Sequence, residues 1–260
     1  MIVDIDVQLA CEVTQTVDLI LQVRALSFAD QKVLSEIYEL GAPEQLADVS
    51  AEAGLGNRTL LRISENFRCA YSAKIEINRP TLNIAALNKV PPHLLPGDIV
   101  RYLMPSRYCP SDELQSFVAA EFGHLEAGKR IAALRDWIFS NFAYVQGSSN
   151  AQTTAIDTFV QRQGVCRDFA HVLIALARAS AIPARFASVY APHVDPQDFH
   201  AVAEVYLDGT WHLVDATGMA EASQIVRIGV GMDAAEVAFL SSFGPMSLTE
   251  KSVSVSLSRT

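Results

Sequence analysis

Cysteine is scarce in this 260-residue sequence: four residues, at positions 11, 69, 109 and 166, with no CxxC pair among them. That excludes a zinc ribbon and a thioredoxin-like dithiol, and the density is too low for a disulfide scaffold. Positive charge is also in short supply. Lys plus Arg number 20 against 29 Asp plus Glu, a formal net charge of −9. Such a balance leaves no electrostatic footprint for a phosphate backbone or an anionic membrane, so neither nucleic acid nor membrane is an expected partner. Glycine and proline, 13 and 11 residues, are too few for collagen-like or low-complexity chain. Long hydrophobic runs are missing as well. Val172 to Ala177 is typical of the longest, far short of the ~18–20 residues a bilayer span needs. The start, MIVDIDVQLACEV, carries acids from Asp4 onward and no basic stretch, unlike a secretory signal. The expectation is a soluble cytoplasmic protein with reduced thiols. What the chain has in quantity is apolar material, 50% of its residues, enough to bury roughly 70–75% of the unfolded surface.

Two periodicities divide the chain. Val3, Ile5, Val7, Leu9, Cys11 and Val13 alternate with polar residues, and Val17, Leu19, Leu21 and Val23 continue the pattern. Leu60 to Ile63 is a short apolar run, and Cys69, Tyr71, Ala73, Ile75 and Ile77 alternate again. Period two marks half-buried strands, so residues 1–80 are expected to form an N-terminal antiparallel β domain. Residues 81–111 hold Pro91-Pro92, Pro96-Gly97, Pro105 and Pro110 and read as a proline-rich surface linker. Residues 112–260 read as a catalytic domain, which makes the fold class α+β. Helices are expected from Ser111 or Asp112 to Phe122, around Ile131, Leu134, Ile138 and Phe142, from Thr153 to Gly164, and from Cys166 to Ser180. Strands are expected at 185–190, 200–207 and 211–215. Beyond Gly218 the pattern suggests a strand at 225–230, a short helix at 233–240, and a closing edge strand through Val253, Val255 and Leu257.

Three residues in the second half carry chemistry. Cys166 opens a helix, where the dipole and the unpaired N–H groups favour a thiolate over a thiol. Cysteines so placed can have pKa values of ~3.5–7.5 against ~8.5 when free. His200 begins a strand that turns at Asp208-Gly209, a dipeptide suited to a two-residue type I′ hairpin. With that turn Leu207 opposes Thr210, Asp215 opposes Val202 and His200 opposes Thr217. Because side chains alternate, His200 and Asp215 project from one face as diagonal neighbours, ~7–8 Å apart at the backbone. A carboxylate on one ring nitrogen fixes the tautomer and frees the other nitrogen to take a thiol proton. Nothing in this count brings the Cys166 helix onto that face.

The blocks Gly164-Val165-Cys166-Arg167-Asp168-Phe169-Ala170-His171, Ile182-Pro183-Ala184-Arg185-Phe186, His200-Ala201 with Glu204-Val205-Tyr206, and Trp211-His212-Leu213-Val214-Asp215-Ala216-Thr217 resemble, in order and spacing, the transglutaminase-like core of the papain-like cysteine-protease fold. The resemblance covers residues 130–220, and the β region followed by a proline-rich segment is similar to the bacterial cysteine-protease branch of that family. It implies Cys166 as nucleophile, His200 as general base and then acid, and Asp215 as the group that orients the imidazole. It implies acyl transfer at an amide through a thioester, without metal or organic cofactor, on a protein, peptide or small amide, with hydrolysis favoured over cross-linking. The Cys166 N–H supplies half of an oxyanion hole, with Tyr144 or Gln146 as candidates for the second donor. Val202 stands where the family usually has an aromatic residue and Ala216 where it usually has proline; the first is expected to alter the acyl-acceptor wall.

Other readings of these residues compete with this one. A lone cysteine at a helix start is usually a small buried hydrophobe, and Cys11, Cys69 and Cys109 are read as structural. His171 is expected to make a structural hydrogen bond, and Asp168 to favour the helix dipole. Glu204 is expected to be a solvated outward carboxylate. His193 is the rival base if the hairpin register is wrong. His193, Asp195, Asp198, His200 and Cys166 are zinc-competent types, so a metal hydrolase is the competing enzyme class, although they lack a recognised ligand spacing. True transglutamination and a catalytically inactive binding module complete the alternatives. Oligomeric state and substrate identity leave no mark on the sequence.

Overall fold

The structure, a computed structural model, describes residues 1–258. In chain order, strands β1 (Ile2–Val13), β2 (Val17–Leu21), β3 (Gln31–Leu40), β4 (Gln45–Ser50), β5 (Asn57–Ile63) and β6 (Phe67–Ile77) come first. Helices α1 (Gly97–Val100), α2 (Gln115–Phe122) and α3 (Ala127–Asn141) lead to the short β7 (Ala143–Tyr144). Then follow α4 (Ala155–Gln161), β8 (Gln163–Gly164), α5 (Cys166–Ala179), β9 (Ala184–Tyr190), β10 (His200–Leu207), β11 (Thr210–Val214), β12 (Val226–Gly231), β13 (Leu240–Ser242) and β14 (Met246–Leu257).

The alternating segments become a two-sheet sandwich, with strand orders β14-β1-β6-β3 and β13-β2-β5-β4. Val3, Ile5, Val7 and Leu9 from one sheet meet Leu19, Leu21, Leu61 and Ile63 from the other in a single apolar core. Alternation in the sequence is therefore alternation across the sheet. The sandwich is closed by the far end of the chain: β14 pairs along the whole of β1, from Val3 opposite Leu257 to Val13 opposite Met246. Residues 240–242 and 246–257, grouped on sequence grounds with residues 112–260, are thus hydrogen-bonded into the sheets of the N-terminal region. The expected helix at 233–240 is a turn that leads into β13.

The segment 81–111 runs largely over the surface, as expected, but it is not structureless. It folds into α1 and isolated helical turns, and it buries Ile99, Tyr102 and Cys109. Its prolines fix the bends, and the apolar residues between them supply the burial.

The third sheet, β11-β10-β9-β12, carries α5 on one face. Ala201, Ala203, Val205 and Leu207 of β10 join Leu173, Leu176 and Ala177 of α5 in one core. From Asp168 to Arg178 every residue of α5 is buried, the signature of a helix enclosed on all sides. The other face of the sheet joins the sandwich: Tyr190 donates its hydroxyl to the Val23 carbonyl at 2.6 Å, and Tyr190, Val226 and Ile228 share the sandwich core.

Candidate active site

The hairpin fixes the first two side chains. Asp208 and Gly209 both adopt positive φ, 47° and 78°, as a type I′ turn requires. Leu207 opposes Thr210 and Ala203 opposes Val214, the register expected from the turn. His200 and Asp215 accordingly emerge side by side, with Nε2 of the imidazole 3.1 Å from an Asp215 Oδ2. Both side chains are sealed from solvent, at 0% and 2% exposure.

Asp215 is itself gripped. Its Oδ1 accepts from the Thr217 backbone N–H and from Thr217 Oγ1, each at 2.8 Å. Its Oδ2 accepts from the Ala220 N–H at 2.8 Å. Burial opposes the carboxylate, and the hydrogen bond and charge of His200, with those of Thr217, overcome it and hold the group below its ordinary pKa. Thr217 and the Ala220 N–H were not singled out in the sequence. The available signal was a threonine two residues after the aspartate, where a local hydroxyl-to-carboxylate turn is common.

Cys166 opens α5 and is half-buried, the most accessible of the four cysteines. Its helix is started by Asp168, which accepts from the Val165 N–H at 2.9 Å and holds the Arg167 guanidinium at 2.8 Å. The expected dipole role of Asp168 thus includes a cap. The Cys166 thiol lies beside the His200 ring. Burial works against the imidazolium there, and hydrogen bonding to Asp215 and to Cys166, with the charge of each, lifts the His200 pKa to about 10. His200 Nδ1 makes no hydrogen bond of its own among the described residues.

Several expectations are revised. Glu204 is fully buried: Arg185 Nε donates to it at 2.7 Å and Arg227 Nε at 2.6 Å. The outer face of β10 is covered by the sandwich, and the cross-strand partner of Glu204 is Arg185 itself. A carboxylate in that setting is stable only between cations. Val202 is buried in a cluster with Ala187, Val189 and Leu213. His193 is exposed on the loop between β9 and β10. Among the described residues no three His, Cys, Asp or Glu side chains gather as a metal ligand set. His171 accepts from the Ala234 N–H at 3.2 Å and stacks on Tyr108, the structural role expected of it. Cys11, Cys69 and Cys109 are buried. A cleft of about 820 Å³ is lined by Thr210 to Val214 of β11 and by Asp215, and neither Cys166 nor His200 lines it.

The profile of the Transglutaminase-like superfamily matches residues 117–216, which span α5, β10 and the end of the hairpin. A crystal structure of a candidate cysteine protease from Cytophaga hutchinsonii is 38% identical, with a TM-score of 0.93, over 98% of this chain and 90% of that one. An uncharacterized protein of Mycobacterium leprae is 28% identical over 145 residues, 52% of each chain. Another, from Mycobacterium bovis, is 32% identical over 83 residues, 31% of this chain and 26% of its own. The match therefore spans about half or less of the length of these curated relatives.

Proposed function

The chain belongs to the transglutaminase-like superfamily, and from that premise we propose that it is a thiol-dependent amide hydrolase in which Cys166, His200 and Asp215 act as nucleophile, acid–base and orienting group. The observation that carries this reading is the single imidazole set between a half-buried thiol and a carboxylate 3.1 Å away. A His200 pKa of about 10 means that the ring accepts a proton readily, so the thiol proton passes to the imidazole and leaves a sulfur anion beside a cation. The sulfur attacks the amide carbon, the carbonyl π pair moves to oxygen, and the Cys166 N–H at the start of α5 faces the charge that develops there. When the carbonyl reforms, the C–N bond breaks and the leaving nitrogen takes the proton from His200. Water then resolves the thioester, with His200 as base and the thiol as leaving group. Asp215, fixed by Thr217 and Ala220, keeps the ring in one orientation through both halves.

The substrate class under this reading is a protein, a peptide or a small amide. The similarity to a candidate cysteine protease over nearly the whole chain favours water over an amine as the second nucleophile. The test pairs labelling with turnover. Iodoacetamide at pH 6–7 should alkylate Cys166 ahead of the three buried cysteines, and at least tenfold faster in wild type than in His200→Ala. Peptide amides with and without a fluorescent primary amine should give acid product in both cases, with little amine incorporated. Equal labelling rates in the two proteins would overturn the acid–base pairing. Dominant amine incorporation would replace hydrolysis by cross-linking.

A further inference from the structure

The two edges of the sheet β11-β10-β9-β12 are treated differently by the rest of the chain. On β12 the edge is covered: the Leu26 N–H donates to the Arg227 carbonyl at 3.0 Å, and the Arg227 N–H donates to Gln31 Oε1 at 2.7 Å. On β11 it is bare. In a two-residue hairpin the residues that flank the turn, here Leu207 and Thr210, form a hydrogen-bonded pair. Thr210, His212 and Val214 therefore turn their N–H and C=O groups toward β10, and Trp211 and Leu213 turn theirs away from the sheet. The facing strand has the matching phase: Tyr206, level with Trp211, donates its N–H to the Pro183 carbonyl at 2.8 Å, away from β11. Among the described residues nothing pairs with the outward groups of Trp211 and Leu213. Buried backbone groups are almost always paired, and Leu213 is 5% exposed.

This edge borders the cleft of about 820 Å³, a volume within the roughly 300–1,000 Å³ of ligand sites. Thr210 to Asp215 line it without a gap, together with residues 79–85 and with Ala132, Arg135 and Asp136 on one stripe of α3. Its arginines are already paired, Arg79 with Asp30 and Arg135 with Asp136, so an anionic ligand finds no free cation. Arg79, with a side chain 9% exposed, still has one group, Nη2, without a hydrogen-bond partner among the described residues, a donor of the kind a neutral carbonyl satisfies. A second extended backbone fits this chemistry, because it offers N–H and C=O groups at the two-residue spacing of Trp211 and Leu213.

We propose that the β11 edge is a docking site for an extended segment of a polypeptide substrate, added to the sheet as a fifth strand. This rests on the function proposed above and narrows its substrate to polypeptide chains. One hairpin carries both the edge and Asp215, so a chain held in the cleft lies beside the reacting groups, while Cys166 and His200 stay clear of it. Trp211 is fixed between Tyr102 and Tyr206, with ring centroids 5.1 and 5.2 Å away, and the Arg185 guanidinium lies 4.1 Å over its ring. The edge is thus rigid before the chain arrives, which lowers the entropy lost on binding.

The test uses the full-length Cys166→Ser protein, which binds without turnover, and reduced, carboxymethylated α-lactalbumin as probe. That probe is an unfolded acidic chain, which a protein of net charge −9 does not attract electrostatically. Excess probe should slow amide hydrogen exchange at Trp211 and Leu213 by about tenfold or more, and by less at Thr210, His212 and Val214, which are already bonded to β10. Folded α-lactalbumin, with no free strand to offer, should protect none of them. Wild-type protein should hydrolyse the unfolded chain with a KM at least about tenfold below that for a dipeptide amide. Hydrolysis of the chain with no protection of Trp211 and Leu213 would overturn the docking site and leave the parent reading intact, as would equal KM values for the two substrates. Protection that needs no probe and grows with protein concentration would also overturn it, by giving the edge to a second copy of this chain. Protection by the probe in a protein whose wild type hydrolyses no amide would sink the parent reading and support the edge as a polypeptide-binding site.

Discussion

In the proposed mechanism Asp215 orients the imidazole, and much of that work falls to groups that never meet substrate. Its two oxygens accept four protein hydrogen bonds apart from the imidazole, two of them from the Thr217 hydroxyl at 2.8 and 2.9 Å. These fix the carboxylate plane, and the carboxylate fixes the ring. Replacing the acceptor itself by Asp215→Asn should lower kcat by about 10³–10⁴-fold, because the amide can present an N–H to the imidazole and select the wrong tautomer. Thr217→Val keeps shape and backbone while removing the hydroxyl. It should cost about tenfold in kcat with KM and the far-UV spectrum unchanged. A Thr217→Val enzyme as fast as wild type would mean that the two backbone N–H donors suffice alone. His200 and Asp215 were legible in the sequence because a hairpin register converts spacing into proximity. Thr217 was less so, because its contact with Asp215 is made through a local turn that leaves no hydrophobic pattern.

Elements were legible where one face is buried and one exposed. Strand β1 shows its alternation residue by residue, and α5 its unbroken burial. Strands β3 and β4 went unread for a physical reason. A bulge between Val33 and Ser35 shifts the β3 register, Leu34 and Ile37 face solvent, and every residue of β4 is exposed. Without a buried stripe there is no period to detect. The start of α3 carries the converse lesson, since Gly128 there looks like a helix defect. It is a contact point: its N–H donates to the Leu87 carbonyl at 3.0 Å, and a Cβ would stand 1.9 Å from the Ile84 carbonyl oxygen. Gly128→Ala should therefore separate α3 from the 84–87 segment and destabilise the protein by about 2 kcal/mol or more, despite alanine's better helix propensity. Gly97→Ala, where a Cβ meets nothing within 4 Å, is the matched control and should be neutral. Urea midpoints of the two variants measure the difference, and equal midpoints would refute the close-approach account.

Across the whole molecule, the sandwich and the helix-bearing sheet are tied by charge as well as by apolar packing. Arg185 and Arg227 bracket Glu204, Arg227 reaches Asp30 at 2.8 Å, and Arg79 holds the other side of Asp30. Each link joins residues far apart in sequence, as does the return of β14 to β1, so local pattern could not announce them. The same burial gives two imidazoles opposite pKa shifts. His171 is fully enclosed, and desolvation lowers its pKa to about 3, while Asp215 and Cys166 raise that of His200 to about 10 against its burial. Both start near 6.5 in the unfolded chain. Under the proposed mechanism the proton on His200 is the one given up by the Cys166 thiol, so the pair binds no extra proton on folding and sets no slope near neutrality. His171 does set one: between pH 6.5 and 3 the unfolded state binds its proton more tightly, so stability is lost as pH falls. Depressed carboxylates such as Glu204 and Asp215 add to the acid limb at lower pH. Urea midpoints should therefore fall from pH 6.5 to 5, with a slope of up to about 1.4 kcal/mol per pH unit for this one proton. A midpoint that stays level across that window would show that His171 is not held neutral in the core.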